Sequence, residues 1–96
     1  MRPRSVITPL IAEFLADSRD GSTARDLLAE CADSEGFPDD KANPKTSIEL
    51  FILERLIKLG LVIETKEGII EPFTNYRTTA LGYDVHRELR RAEKMP

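Results

Sequence analysis

The chain has 96 residues, 41% of them hydrophobic and 32% charged, which is enough apolar surface for one small core and too little net charge to force disorder. Its formal charge of −3 excludes a polyanion binder built on bulk basicity, because phosphate neutralisation by Lys and Arg supplies most non-specific nucleic-acid affinity. No apolar run approaches the about eighteen residues of a membrane span, and Met1-Arg2-Pro3-Arg4 leads into no signal core, so a soluble cytoplasmic chain is expected.

Residues 1–96 read as a single domain of four helices and one hairpin, mainly α with a small antiparallel β element. The first helix is expected near 8–18, with Thr8 as N-cap, Pro9 at the first helical position and Leu10, Ile11, Phe14 and Leu15 as its apolar stripe. A second is expected near 23–32. Thr23 and Asp26 there have the capping arrangement, and Ala24, Leu27, Leu28 and Cys31 face inward. Cys31, the only cysteine, reads as core. Residues 33–44 hold two prolines, a glycine and the acids Asp33, Glu35, Asp39 and Asp40, and predict a long negative loop.

Thr46 with Glu49 forms a second capping box, and Ile48, Ile52, Leu53, Leu56, Ile57 and Leu59 carry a helix near 46–59 to Gly60. Together with Leu50 its apolar residues span an arc of about 200°, wider than one packed face needs. Two strands, 61–65 and 69–73, flank a turn at Lys66-Glu67-Gly68, with Pro72 ending the second. Tyr76-Arg77-Thr78 is extended, and the hairpin with its flanks covers 61–78. Thr79 then caps a last helix near 79–94, where Leu81, Val85, Leu89 and Ala92 recur at helical spacing and Arg87, Arg90, Arg91 and Lys94 make a basic end.

Helix, helix, helix, hairpin, helix is the order of winged helix-turn-helix proteins. The run Leu53-Glu54-Arg55-Leu56-Ile57-Lys58-Leu59-Gly60-Leu61-Val62 resembles the end of a winged-helix recognition helix. Tyr76-Arg77-Thr78-Thr79-Ala80-Leu81-Gly82 is similar to the Tyr-x-x-Thr-x-x-Gly that closes the wing in PadR-like and MarR-like regulators. The likeness covers roughly residues 8–92, and its motifs are short. It implies a three-helix core with a wing and a C-terminal helix, a homodimer, and a transcriptional regulator that lays the third helix in the major groove of duplex DNA.

Candidate DNA contacts are Ser22 and Thr23 at the second helix start, Lys45, Thr46 and Ser47 at the third, then Arg55, Lys58, Lys66, Asn75 and Arg77. Five cations among these, Lys45, Arg55, Lys58, Lys66 and Arg77, are expected to line one face. Leu81, Val85, Leu89 and Ala92 are the candidate dimer stripe. Catalysis has little to work with: His86 is the sole histidine, Asp84 lies on another helical face, and no nucleophile motif is present. One His and one Cys cannot build a four-ligand zinc site, and no cofactor motif appears, so neither metal nor cofactor is expected. A second reading is a winged-helix module that binds a protein instead of DNA, motivated by the net negative charge, the acidic loop and the apolar third helix.

Overall fold

In the computed structural model, which describes residues 5–34, 36–39, 42 and 44–94 (the last two by backbone alone), four helices pack with one antiparallel sheet. The order is α1 (Pro9–Ala16), α2 (Asp20–Asp33), β1 (Phe37–Asp39), α3 (Ser47–Lys58), β2 (Val62–Glu67), β3 (Phe73–Thr78) and α4 (Ala80–Lys94). The sheet runs β1-β3-β2, so β3 is central. One buried cluster draws Ile11 and Phe14 from α1, Leu28 from α2, Leu56 from α3, Val62 and Tyr76 from the sheet and Val85 from α4. Among the described residues no helix is long and apolar enough to cross a membrane. Glu35 and Asp40 of the acidic loop, and the Lys94 side chain, lie outside the described residues.

Thr8 caps α1 and Pro9 opens it, but Leu10 of the expected inward stripe is exposed while Ile11, Phe14 and Leu15 are buried. The start of α2 lies three residues before the expected Thr23. Asp17 Oδ1 accepts from the amides of Arg19 and Asp20, both at 2.9 Å, and so supplies the cap. Thr23 sits inside the first turn, where its hydroxyl donates back to the Arg19 carbonyl (3.5 Å). Farther along α2, Cys31 is buried, its thiol pushed up to about 12 by desolvation, which leaves an inert core side chain.

The connection expected to be structureless contains a strand. Phe37 pairs with Tyr76, Pro38 with Asn75 and Asp39 with Thr74, making a three-stranded sheet in place of a lone hairpin. β1 is an edge strand, the place in a sheet where a proline's missing donor is tolerated. Phe37 anchors it, buried with its ring 5.8 Å from that of Tyr76.

The capping box at α3 forms as read: Glu49 N donates to Thr46 Oγ1 (3.1 Å) and Thr46 N to Glu49 Oε1 (3.0 Å). Beyond it the hairpin is shifted from its expected register, with Ile63 opposite Arg77 and Glu67 opposite Phe73. Residues 69–72, expected as strand, form the connection, where Ile69 and Ile70 are exposed. A joint ties the hairpin base to α4. Gly60 takes φ +79, turning the chain out of α3. Thr79 Oγ1 donates to the Gly60 carbonyl (2.6 Å) and accepts from Gly82 N (3.0 Å). A Cβ on Gly82 would strike the Leu61 carbonyl, so the threonine and glycine of that segment are both required by one close contact.

Candidate nucleic-acid interface

α3 buries Ile52, Leu53 and Leu56. At 100° per residue the opposite side carries Ser47, Phe51, Glu54 and Lys58, flanked by Leu50 and Arg55. Phe51 is 54% exposed and Leu50 38%, and Ile48, expected in the core, is exposed as well. Two shallow grooves border this face. One, of about 310 Å³, is lined by Phe51, Glu54, Arg55, Lys58 and Leu59. The other, of about 390 Å³, runs between α3 and the sheet, where Leu50, Ile57 and Lys58 face Glu64 and Tyr76.

The five predicted cations do not share one face. Lys58 is at the centre, 3.4 Å from Glu54 in an exposed pair. Arg55 leans toward α1, its guanidinium 4.7 Å from the Phe14 ring centroid. Lys66 lies two residues beyond Glu64 on the same side of β2, which brings it to the α3 side, and its ammonium donates to Thr74 Oγ1 (2.6 Å). Lys45 is different in kind. Its side chain is only 11% exposed, with Nζ over the Phe37 ring at 3.8 Å and Glu30 at 4.0 Å, so it braces β1 and is withdrawn from any ligand.

Arg77 is on the reverse of the sheet, because Tyr76 lines the α3 groove and successive strand residues point oppositely. There it pairs with Glu67 at 2.9 Å. Asn75, a predicted contact, is buried. With its amide oriented to satisfy both ends, it donates to the Phe37 carbonyl (3.0 Å) and accepts from Arg77 Nε (2.8 Å), pinning β1 to β3. Of the hydroxyls, Thr46 caps α3 and Ser47 is exposed beside it. Ser22 faces a cleft against α4, away from α3, and Thr23 is half-buried within α2. Ser47, Arg55 and Lys58 therefore lie on or flank the outer side of α3, with Thr46 at its start and Lys66 on the neighbouring strand, while Ser22, Thr23, Lys45, Asn75 and Arg77 do not belong to that face.

The expected dimer stripe does not form one open surface. Val85 is fully buried and Leu89 packs on the core, so only Leu81 and Ala92 remain exposed. The apolar repeat of α4 is its core seam. Two features were not read as sites from sequence. Ile69 and Ile70 project from the hairpin tip at 100% and 94% exposure, where their β-branched, apolar character had marked them as strand. A cleft lies between α2 and α4, lined by Tyr83, Arg87, Arg90 and Arg91. Its sequence signal was the arginine spacing on α4, which complements the helix dipole equally well. No family model matches the chain, and no curated protein or solved structure matches it.

Proposed function

We propose that this chain is a winged-helix protein, acting as a homodimer, that binds duplex DNA through α3, with the β2–β3 hairpin as the wing. The observation that carries this reading is the free outer face of α3, with Ser47, Phe51, Glu54 and Lys58 directed to solvent and Lys66 on the neighbouring strand. A helix presented this way fits a major groove, where Lys reads guanine, Glu accepts from cytosine and an aromatic edge meets thymine methyl. The Glu54–Lys58 pair does not obstruct such a role: an exposed ion pair is worth about 0–1 kcal/mol and opens cheaply.

Three cations, Arg55, Lys58 and Lys66, remain for phosphate or base contact. Counterion release then sets a slope of log affinity on log salt of about −3 for one domain and about −5 for two acting together. Fluorescence anisotropy on random duplex DNA between about 50 and 200 mM salt measures it, and Lys58→Gln should reduce the slope by about one unit per site. No binding at about 50 mM salt would overturn the DNA reading.

A second reading is favoured by a specific observation: Leu50, Phe51 and Ile48 are exposed on the same helix, and Glu54 pairs with Lys58 while Glu64 lines the same groove. Apolar side chains around a lysine that both carboxylates answer suit a protein surface with an apolar centre. Salt-independent retention of a protein partner, lost in Phe51→Ala, together with absent DNA binding, would favour it.

A further inference from the structure

We infer that the cleft between α2 and α4 is a binding site for a small phosphate ester, separate from the α3 face. The cleft holds about 610 Å³ beside Tyr83, Arg87, Arg90 and Arg91. It continues into a second hollow of about 410 Å³ that takes in Ser22, Arg25 and Asp26 of α2 and shares Asp33, His86 and Arg90, so the excess of cations lies at the α4 end. These volumes are those of small-ligand pockets. A duplex, by contrast, meets convex ridges and open helix faces.

The charge placement gives the ligand its sign. Residues 83, 87, 90 and 91 fall on one side of α4 at helical spacing, so three guanidiniums converge from a chain of net charge −3. Their internal partners are weak. Arg87 lies 3.6 Å from Asp84 and Arg90 lies 4.0 Å from Asp33, both side chains mostly exposed, and Arg91 has no ion pair among the described residues. Exposed contacts of this length hold a guanidinium loosely, whereas a phosphate dianion accepts two charge-assisted hydrogen bonds from each fork.

Two further groups shape the site. Tyr83, partly exposed at the rim, offers a ring face to a planar substituent on the ester. His86 lies between the two hollows, its side chain 13% exposed and its Nε2 without a hydrogen bond, 3.6 Å from Asp33 Oδ1. Asp33 is thus shared by His86 and Arg90 at distances too long to bond either well.

The test titrates the full chain with inorganic phosphate, adenosine 5′-monophosphate, adenosine and sodium chloride at matched ionic strength, followed by amide chemical-shift mapping. Phosphate and the monophosphate should both shift residues 83–91 and 25–33, the monophosphate binding at least several-fold more tightly through Tyr83, with adenosine and chloride silent. Arg90→Gln with Arg91→Gln should weaken the monophosphate about tenfold or more, while Arg19→Gln, which lines neither hollow, should change little. Thermal melts of each variant establish that it is folded, and shift mapping on the unmodified chain stands without any variant. Shifts confined to α3, equal response to chloride, or unchanged affinity in the double variant would each overturn the inference. Because the α3 reading is tested by duplex binding, failure of one leaves the other intact.

Discussion

α3 seats Ile52, Leu53 and Leu56 in the core and turns Ser47, Phe51, Glu54 and Lys58 outward, whereas α4 seats Val85 and turns Tyr83, Arg87 and Arg91 outward. The inner seams are alike, and the outer faces are opposites. On α3 a carboxylate four residues before the lysine answers its charge. On α4 three arginines meet only Asp84 and the shared Asp33. A net charge of −3 therefore says little about where an anion would bind, because the molecule segregates its cations. Fold resemblance directs attention to α3, and the local electrostatics to α4.

If the helices differ only on their solvent sides, truncating either seam should cost stability and truncating either outer face should not. Leu56→Ala should lose about 2–5 kcal/mol in denaturant unfolding through methylene removal and the cavity left behind. Val85→Ala should lose about 2 kcal/mol on the same grounds, with fewer atoms removed. Phe51→Ala and Arg91→Gln should stay within about 0.5 kcal/mol of the parent. A large loss from Phe51→Ala would break the comparison, since it would mean that the outer face of α3 is covered in solution. Light scattering on the same samples would then show whether two copies bury that face, which would close it to duplex DNA.

Gly82→Ala probes the joint that both helices share. Its methyl group would meet the Leu61 carbonyl, backbone that cannot swing aside, and should cost about 1–3 kcal/mol. Adding Thr79→Ala should cost less than the sum of the two single changes, because both act on one close contact at Gly60 and Leu61.

Much of this was legible in the sequence. Thr8-Pro9, Thr46 with Glu49 and Gly60 act locally, within a turn of helix, so their residue types alone announced them. Phe37 to Asp39 did not, because that strand exists only by pairing with β3 some forty residues away, and Pro38 argued against it. The hairpin register failed for a related reason: Ile69 and Ile70 have strand-like side chains but form the exposed connection, and the pairing instead places Tyr76, Thr74 and Val62 on the covered side. The candidate site suffered most. Lys45, Asn75 and Arg77 qualify by residue type, but burial and strand alternation, which depend on the assembled sheet, withdraw them from α3.

A smaller loss than at either core seam is expected at the capped start of α3. Thr46→Ala removes the hydroxyl that accepts from Glu49 N and should cost about 1 kcal/mol at neutral pH. Glu49→Gln should be nearly silent there, since an amide oxygen can still accept from Thr46 N. The two separate under acid. The Thr46 amide holds the Glu49 carboxyl below its ordinary 4.5, and the amides of Asp20 and Arg19 hold Asp17 below its ordinary 3.8. A carboxylate whose folded pKa is depressed stabilises the fold fully above its unfolded value, and that contribution is lost as pH falls through the folded one. The melting temperature of the parent should therefore decline below about pH 4.5, where the unfolded chain begins to bind protons that the folded chain refuses. Glu49→Gln should shallow this decline without abolishing it, because Asp17 still titrates. An identical acid slope in parent and variant would mean that the Glu49 charge adds nothing to the cap, leaving the Thr46 hydroxyl as its working half.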